Sequence, residues 1–245
     1  MKRASWIAVL GLLAAGCGGG NAGVAQTPGT TVPPPTTTAA TTAERPLSLE
    51  LFFLAPDGKL VAASRTVPRT QTPGAATLDE LTDPVEDTTT EVPDGLKLTI
   101  DAGRAQVTGG SLNDAALAQI VYSLTSFSTV ESVNGKTPAD VEDFVPAILV
   151  EHPVADETVT SPLRVTGTAN TFEATFNYRL EDAQGNELAK DFVTATSGSG
   201  TRGTFDFTVS FTVDSAQNGK LTVFELSAED GSVIHERVVP LRLAP

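Results

Sequence analysis

Ser161-Pro162-Leu163-Arg164-Val165-Thr166-Gly167-Thr168-Ala169-Asn170-Thr171-Phe172-Glu173-Ala174 is the stretch that decides the fold of the second half of this chain. From Leu163 to Thr168, apolar and polar residues alternate with a period of two, which fits a half-buried strand and no helix. Further strand-like runs lie at residues 148–150, 174–180, 187–194, 204–213, 221–226 and 233–243. Turn-forming clusters separate these runs, among them Ala183-Gln184-Gly185-Asn186, Ser197-Gly198-Ser199-Gly200 and Glu229-Asp230-Gly231. Several short strands without a helical period predict an all-β sandwich over residues 147–245.

Upstream, over residues 46–136, the periods are mixed. Leu47, Leu49, Leu51 and Phe53 line one face of a predicted strand, Pro56-Asp57-Gly58 turns the chain, and residues 59–67 continue as a second strand. Thr72-Pro73 reads as an N-cap followed by proline at the first helical position. The helix after it carries Ala75, Ala76, Leu78 and Leu81 and ends near Pro84. Pro93-Asp94-Gly95 opens a hairpin region in which Leu96, Leu98 and Ile100 alternate with Lys97 and Thr99, and Ala102-Gly103 forms the turn into residues 104–108. Ser111 or Asn113 caps a second helix, with Ala116, Leu117, Ile120, Val121 and Leu124 on one face. A short strand at residues 130–133 completes an α+β domain, a sheet with two helices on one face. Residues 137–146, with Pro138 and the acids Asp140, Glu142 and Asp143, form a connector that sets the angle between the domains.

Two resemblances follow from these residues. Val92-Pro93-Asp94-Gly95-Leu96-Lys97-Leu98, the hairpin strand ending at Val107, and Gln119-Ile120-Val121-Tyr122-Ser123-Leu124-Thr125 resemble the GerMN domain of sporulation and germination lipoproteins. Val107-Thr108-Gly109 stands where that family often has Asp-Leu-Ser. The stretch from Ser161 to Ala174, with Phe224-Glu225 and Asp230-Gly231-Ser232, resembles the immunoglobulin-like domain associated with bacterial spore germination. The pairing implies a cell-envelope protein. It does not require that sporulation be involved, since both domains resemble ones found where no spores form.

The N-terminus points the same way. Lys2 and Arg3 precede an apolar run from Ala4 to Ala15, the layout of a secretory signal peptide and too short to cross roughly 30 Å of hydrocarbon. Ala14-Ala15-Gly16-Cys17 resembles a lipobox, with Ala14 where leucine is usual. Cys17 is the single cysteine, and the expectation is that residues 1–16 are a removed signal peptide and Cys17 carries the lipid. Acyl chains such as palmitate contribute about 0.8 kcal/mol per buried CH₂, so several on one cysteine hold a protein on a membrane. Residues 17–45, with Gly18-Gly19-Gly20 and Pro33-Pro34-Pro35, have a composition that builds no core and are expected to form a disordered Thr/Pro-rich linker. As a coil, that linker spans about 30 Å.

The whole chain has 16 Lys+Arg against 30 Asp+Glu, net −14, and loss of Lys2 and Arg3 takes the balance to −16. Such a charge disfavours nucleic acid, and surface solubility accounts for it. His152 and His235 lack the spacing of a metal site, and no Gly-x-Ser-x-Gly elbow is present. Adjacent acids at Glu142-Asp143, Glu181-Asp182 and Glu229-Asp230 read as solvated turns and connectors. Glu173 reads as a carboxylate capping backbone donors at a loop-to-strand junction. The other reading is a ligand-facing group, with Asp156 and Glu157 as companions for calcium. Phe176, Phe205, Phe207 and Phe211 read as core, and the chain after residue 16 has no Trp to form a sugar platform.

The expectation is a non-enzymatic, lipid-anchored protein on the extracytoplasmic face of the cell membrane, with no cofactor, metal or catalytic set. Its partners are an envelope protein or cell-wall polymer. The alternative is a module that recognises a cell-wall glycan or muropeptide and signals to a membrane partner.

Overall fold

In the computed structural model, residues 45–245 are described. The expected signal peptide, Cys17 and nearly all of the linker lie outside them.

The first domain begins with an antiparallel hairpin. Strand β1 (Leu47–Leu54) pairs along its whole length with β2 (Leu60–Val67), Leu47 opposite Val67 and Leu54 opposite Leu60. Gly58, at φ +76°, takes the left-handed conformation in the turn between them. Helix α1 (Pro73–Glu80) starts at Thr72 with proline in its first turn, as the Thr72-Pro73 pair predicts. A second hairpin joins β3 (Lys97–Asp101) to β4 (Arg104–Thr108). Its two turn residues, Ala102 and Gly103, both have positive φ, the backbone a two-residue hairpin demands.

Helix α2 (Asp114–Thr125) is capped by Asn113, whose Oδ1 accepts a hydrogen bond from Ala116 N at 2.8 Å. Strand β5 (Ser132–Val133) then runs parallel to β4. The strands divide into two small sheets, β1-β2 and β3-β4-β5, and both helices pack against β1. Burial on α2 extends beyond its apolar stripe to Gln119 and Ser123. Ser123 Oγ accepts from Phe52 N at 2.9 Å, and Gln119 Nε2 donates to Phe52 O at 3.2 Å, so these two polar groups fasten the helix to β1. Unpaired, each would carry a penalty of about 1–3 kcal/mol.

The connector contains a 3-10 segment, Pro138–Phe144, whose start is fixed by Asp140 Oδ2 accepting from Thr137 N at 2.9 Å and Thr137 Oγ1 at 2.8 Å. The sandwich follows. One sheet holds β6 (Ile148–His152), β8 (Leu163–Ala169) and β11 (Gly203–Val209) in the order β11-β8-β6. The other holds β7 (Glu157–Val159), β9 (Thr175–Asp182), β10 (Glu187–Thr194), β12 (Gln217–Leu226) and β13 (Val233–Leu243) in the order β10-β9-β12-β13-β7. The chain is thus an α+β domain followed by an immunoglobulin-like sandwich. Strand β7 was not predicted; its three residues are too few for a periodic signal, and it is held by parallel pairing to β13. Phe176, Phe205 and Phe211 are buried in the sandwich, and Phe207 packs against them, its ring 4.9 Å from that of Tyr178.

Two apolar clusters result, and β6 serves both. Leu149 belongs to the cluster of the first domain, while Ile148 and Val150 belong to that of the sandwich. Alternation of side chains along a strand makes this possible. The continuous apolar run Ile148-Leu149-Val150 is therefore buried on both faces, and β2 lies against β6.

Candidate functional site

Polar side chains close the joint that β6 begins. Arg202, just before β11, is central. Its Nε donates to Glu142 Oε2 at 2.9 Å and its Nη2 to Glu142 Oε1 at 2.9 Å, a two-pronged grip on one carboxylate. Nη2 also donates to Pro146 O at 2.8 Å. Asn170 Nδ2 adds a third donor to Glu142 Oε1 at 3.1 Å. Burial by itself would raise the Glu142 carboxyl, but the hydrogen bonds from Arg202 and Asn170 and the guanidinium charge bring it below its ordinary value. Two further ties cross from the first hairpin. Lys59 Nζ donates to Asp143 O at 2.7 Å, and Asp57 Oδ2 pairs with Arg237 Nη2 of β13 at 2.7 Å.

Beside this lock lies a cleft of about 660 Å³, lined by Phe52, Tyr122, Glu142 and Arg202 together with Glu50 and Glu151. Tyr122 packs edge-on against Phe52, ring centres 5.2 Å apart, and burial pushes its hydroxyl up to about 12. Glu50 comes from the middle of β1, and burial raises its carboxyl. Glu151 sits at a β-bulge: Val150 pairs with Gly167 and His152 with Thr166, so Glu151 is the extra residue on its strand. A bulge re-aims the side chain it carries. Gly167 is required opposite it, because a Cβ there would lie 2.1 Å from Leu149 O and 2.7 Å from Phe205 Cζ. Burial, and then the charge of Glu50, push Glu151 up to about 7, against the opposing pull of Arg202. Neither carboxylate has a hydrogen bond or ion pair of its own among the described residues.

The residues singled out in sequence fall elsewhere. Glu173 does not cap its junction. It has φ +52° and its side chain is exposed, whereas Glu225, buried on β12, reaches across so that Phe172 N donates to its Oε1 at 2.8 Å. Glu225 lies 53 residues from Phe172, a pairing invisible to local spacing. Its other oxygen, Oε2, contacts His235 Nδ1 at 2.8 Å. His152 instead faces Glu157, Nδ1 to Oε2 at 3.4 Å. Asp156 and Glu157 flank the far side of the Glu50–Glu151 seam and do not join Glu173. Among the described residues, no three His, Cys, Asp or Glu side chains are arranged to hold a metal ion.

Sequence reasoning passed over Glu50, Glu151 and Arg202, and it read Glu142 as a solvated connector acid where the structure has it held by Arg202 and Asn170. A signal existed for two of them: Glu50 interrupts the apolar strand Leu47–Leu54, and Glu151 directly follows Ile148-Leu149-Val150. Just past Asn170 of the lock, Phe172 is 57% exposed, and Leu226 and Val233 are exposed by 47% and 51%. Leu226 and Val233 are directly paired, and Glu225 bonds to Phe172, so the three belong to one neighbourhood.

Comparison with known proteins agrees with this architecture. Residues 50–134 match the Germane family, described as "Sporulation and spore germination", and residues 147–232 match Gmad2, the "Immunoglobulin-like domain of bacterial spore germination". Neither description names an enzyme. No curated protein matches the chain. Among solved structures, CopC from Methylosinus trichosporium OB3b is 14% identical over 38% of this chain and 87% of its own, with a TM-score of 0.26. The tandem GerMN domains of the sporulation protein GerM from Bacillus subtilis are 14% identical over 67% of this chain and 61% of theirs, with a TM-score of 0.31. WR4, a C. elegans MSP family member, is 12% identical over 40% of this chain and 97% of its own, with a TM-score of 0.24. All three scores lie below 0.5 and are too low to support a functional analogy.

Proposed function

We propose that the chain is a non-enzymatic, lipid-anchored adaptor of the cell envelope, held to the membrane through Cys17 and making protein–protein or cell-wall contacts, in the manner of germination-type lipoproteins. The observation that carries this reading is the joint. Arg202, Lys59 and Arg237 are each engaged by a group of this same chain and tie the domains and connector together, which suits an adaptor better than a reacting centre. The exposed trio Phe172, Leu226 and Val233 supplies an apolar contact point of the kind that marks interaction sites. Photocrosslinking in living cells from position 172 tests it. The expected result is one defined envelope protein or wall polymer, lost when Val233 is changed to Asp. Equal labelling from position 172 and from an exposed control position such as Glu187 would sink the reading.

A second reading is favoured by the cleft itself. Its hydroxyl-bearing rim, with Thr125, Ser126, Thr168 and Thr201, and its two unengaged carboxyls suit a polar cell-wall fragment such as a muropeptide or glycan. Titration with muropeptides, followed through tyrosine fluorescence and amide shifts, separates the two; no response at millimolar ligand removes this one.

A further inference from the structure

Glu50 belongs to β1 of the first domain and Glu151 to the bulge in β6 of the sandwich, and both line the cleft on one side of the seam and a second hollow on the other. They are therefore neighbours across the line where the two domains meet. Carboxylates in such a position normally have a cation or a set of donors. These have neither. The nearest cation, Arg202, is already held by Glu142.

We propose that this pair makes the joint between the domains proton-sensitive: the seam is closed while at least one of Glu50 and Glu151 is protonated, and it loosens when both are charged.

The surroundings leave few competing charges. From α2, Tyr122 faces the pair as a neutral hydroxyl; from the connector comes Glu142, and from the segment before β11, Arg202. On the other side stand His152, Asp156 and Glu157, and Glu157 is occupied by Val154 N at 3.0 Å and by His152. The strand β2 contributes Ala63 and Ser64, which carry no charge. Among the described residues, three acids and one histidine therefore surround two more acids, with Arg202 the one permanent cation.

The direction follows from linkage. A carboxyl raised from 4.5 to about 7 stabilises the closed seam fully below the ordinary value, and that contribution disappears as pH rises through about 7. Glu142 runs the other way. Its lowered carboxyl keeps the Arg202 grip in place above the ordinary value and lets go only in acid. The two devices together make the joint tightest at mildly acidic pH and looser at neutral pH and above. This holds whichever partner the adaptor takes.

Amide hydrogen exchange on the full-length chain tests the proposal, with β9 and β12 as the internal reference and rates corrected for intrinsic base catalysis. Between pH 6 and pH 8, protection at residues 49–52 and 149–151 should fall by about tenfold relative to the reference, the equivalent of one pKa unit. Glu151→Gln should flatten that profile, Glu50→Gln should move its midpoint to lower pH, and Glu157→Gln should leave it unchanged. A flat profile in the unmodified protein, or a pH-dependent loss that survives Glu151→Gln, overturns the proposal. Carbon-13 titration of the Glu151 carboxyl in the unmodified protein gives a second reading that needs no variant to fold. A midpoint near 7 that coincides with the exchange profile supports the proposal, and one near 4.5 overturns it.

Discussion

Arg202 and Glu142 are 60 residues apart and meet through two hydrogen bonds of 2.9 Å, joining the connector to the sandwich. The guanidinium side chain is 12% exposed and the carboxylate 36%. A pair so placed is worth more as geometry than as charge, because it holds Pro146 and Asn170 in register as well.

Arg202→Ala should therefore cost about 2 kcal/mol, toward the low end for a broken buried pair because Glu142 keeps some water. Arg202→Lys should recover less than half of that, since a single ammonium cannot reproduce the two-pronged grip. Urea denaturation at pH 6.5 measures both. Equal stability of the Lys variant and the parent would mean the fork is unimportant.

The same pair predicts a loss in acid. The lowered Glu142 carboxyl contributes stability that is present above 4.5 and vanishes as pH falls through its folded-state value. Glu142→Gln should thus narrow the stability difference between pH 6 and pH 3. Midpoints of urea unfolding across that range check the sign.

Gly167 should tolerate no side chain. Its Cβ position is filled by Leu149 O and Phe205 Cζ, and backbone cannot retreat as a flexible side chain can. Gly167→Ala should destabilise by about 3 kcal/mol, the upper range for overpacking. In a chain of this size that lowers the melting temperature by roughly 6–12 °C.

At the Phe172 turn, Glu225→Ala should cost about 1 kcal/mol by removing the acceptor of a part-buried N–H, whereas Glu225→Gln, which keeps the acceptor, should cost less. Glu173→Ala should be near neutral. Thermal melts of the three variants rank the two carboxylates directly.

The anchor has its own test. Cys17→Ser should release the protein from carbonate-washed membranes, and retention would remove lipidation from the proposed function.

Local chemistry alone specified most of the elements. Alternation at Leu163–Thr168 and turn clusters between the other runs marked the sandwich strands, and Glu187–Thr194 and Val233–Leu243 fall between such turns as read. Thr72-Pro73 and the Ser111-or-Asn113 pair marked the helix starts, Asn113 being the cap in the structure, and Ala102-Gly103 marked the hairpin, because caps and turns are settled by groups within four residues. Tertiary structure alone decided the joint. Whether Glu142 is a solvated connector acid or the anchor of Arg202 depends on where two domains come to rest. So does whether Glu151 follows an apolar run into water or into a seam beside Glu50. The capping role moved from Glu173 to Glu225 for the same reason: the donor is local, but the acceptor that reaches it comes from another strand. Sequence periodicity reports which face of an element is buried; it carries no record of which other element buries it.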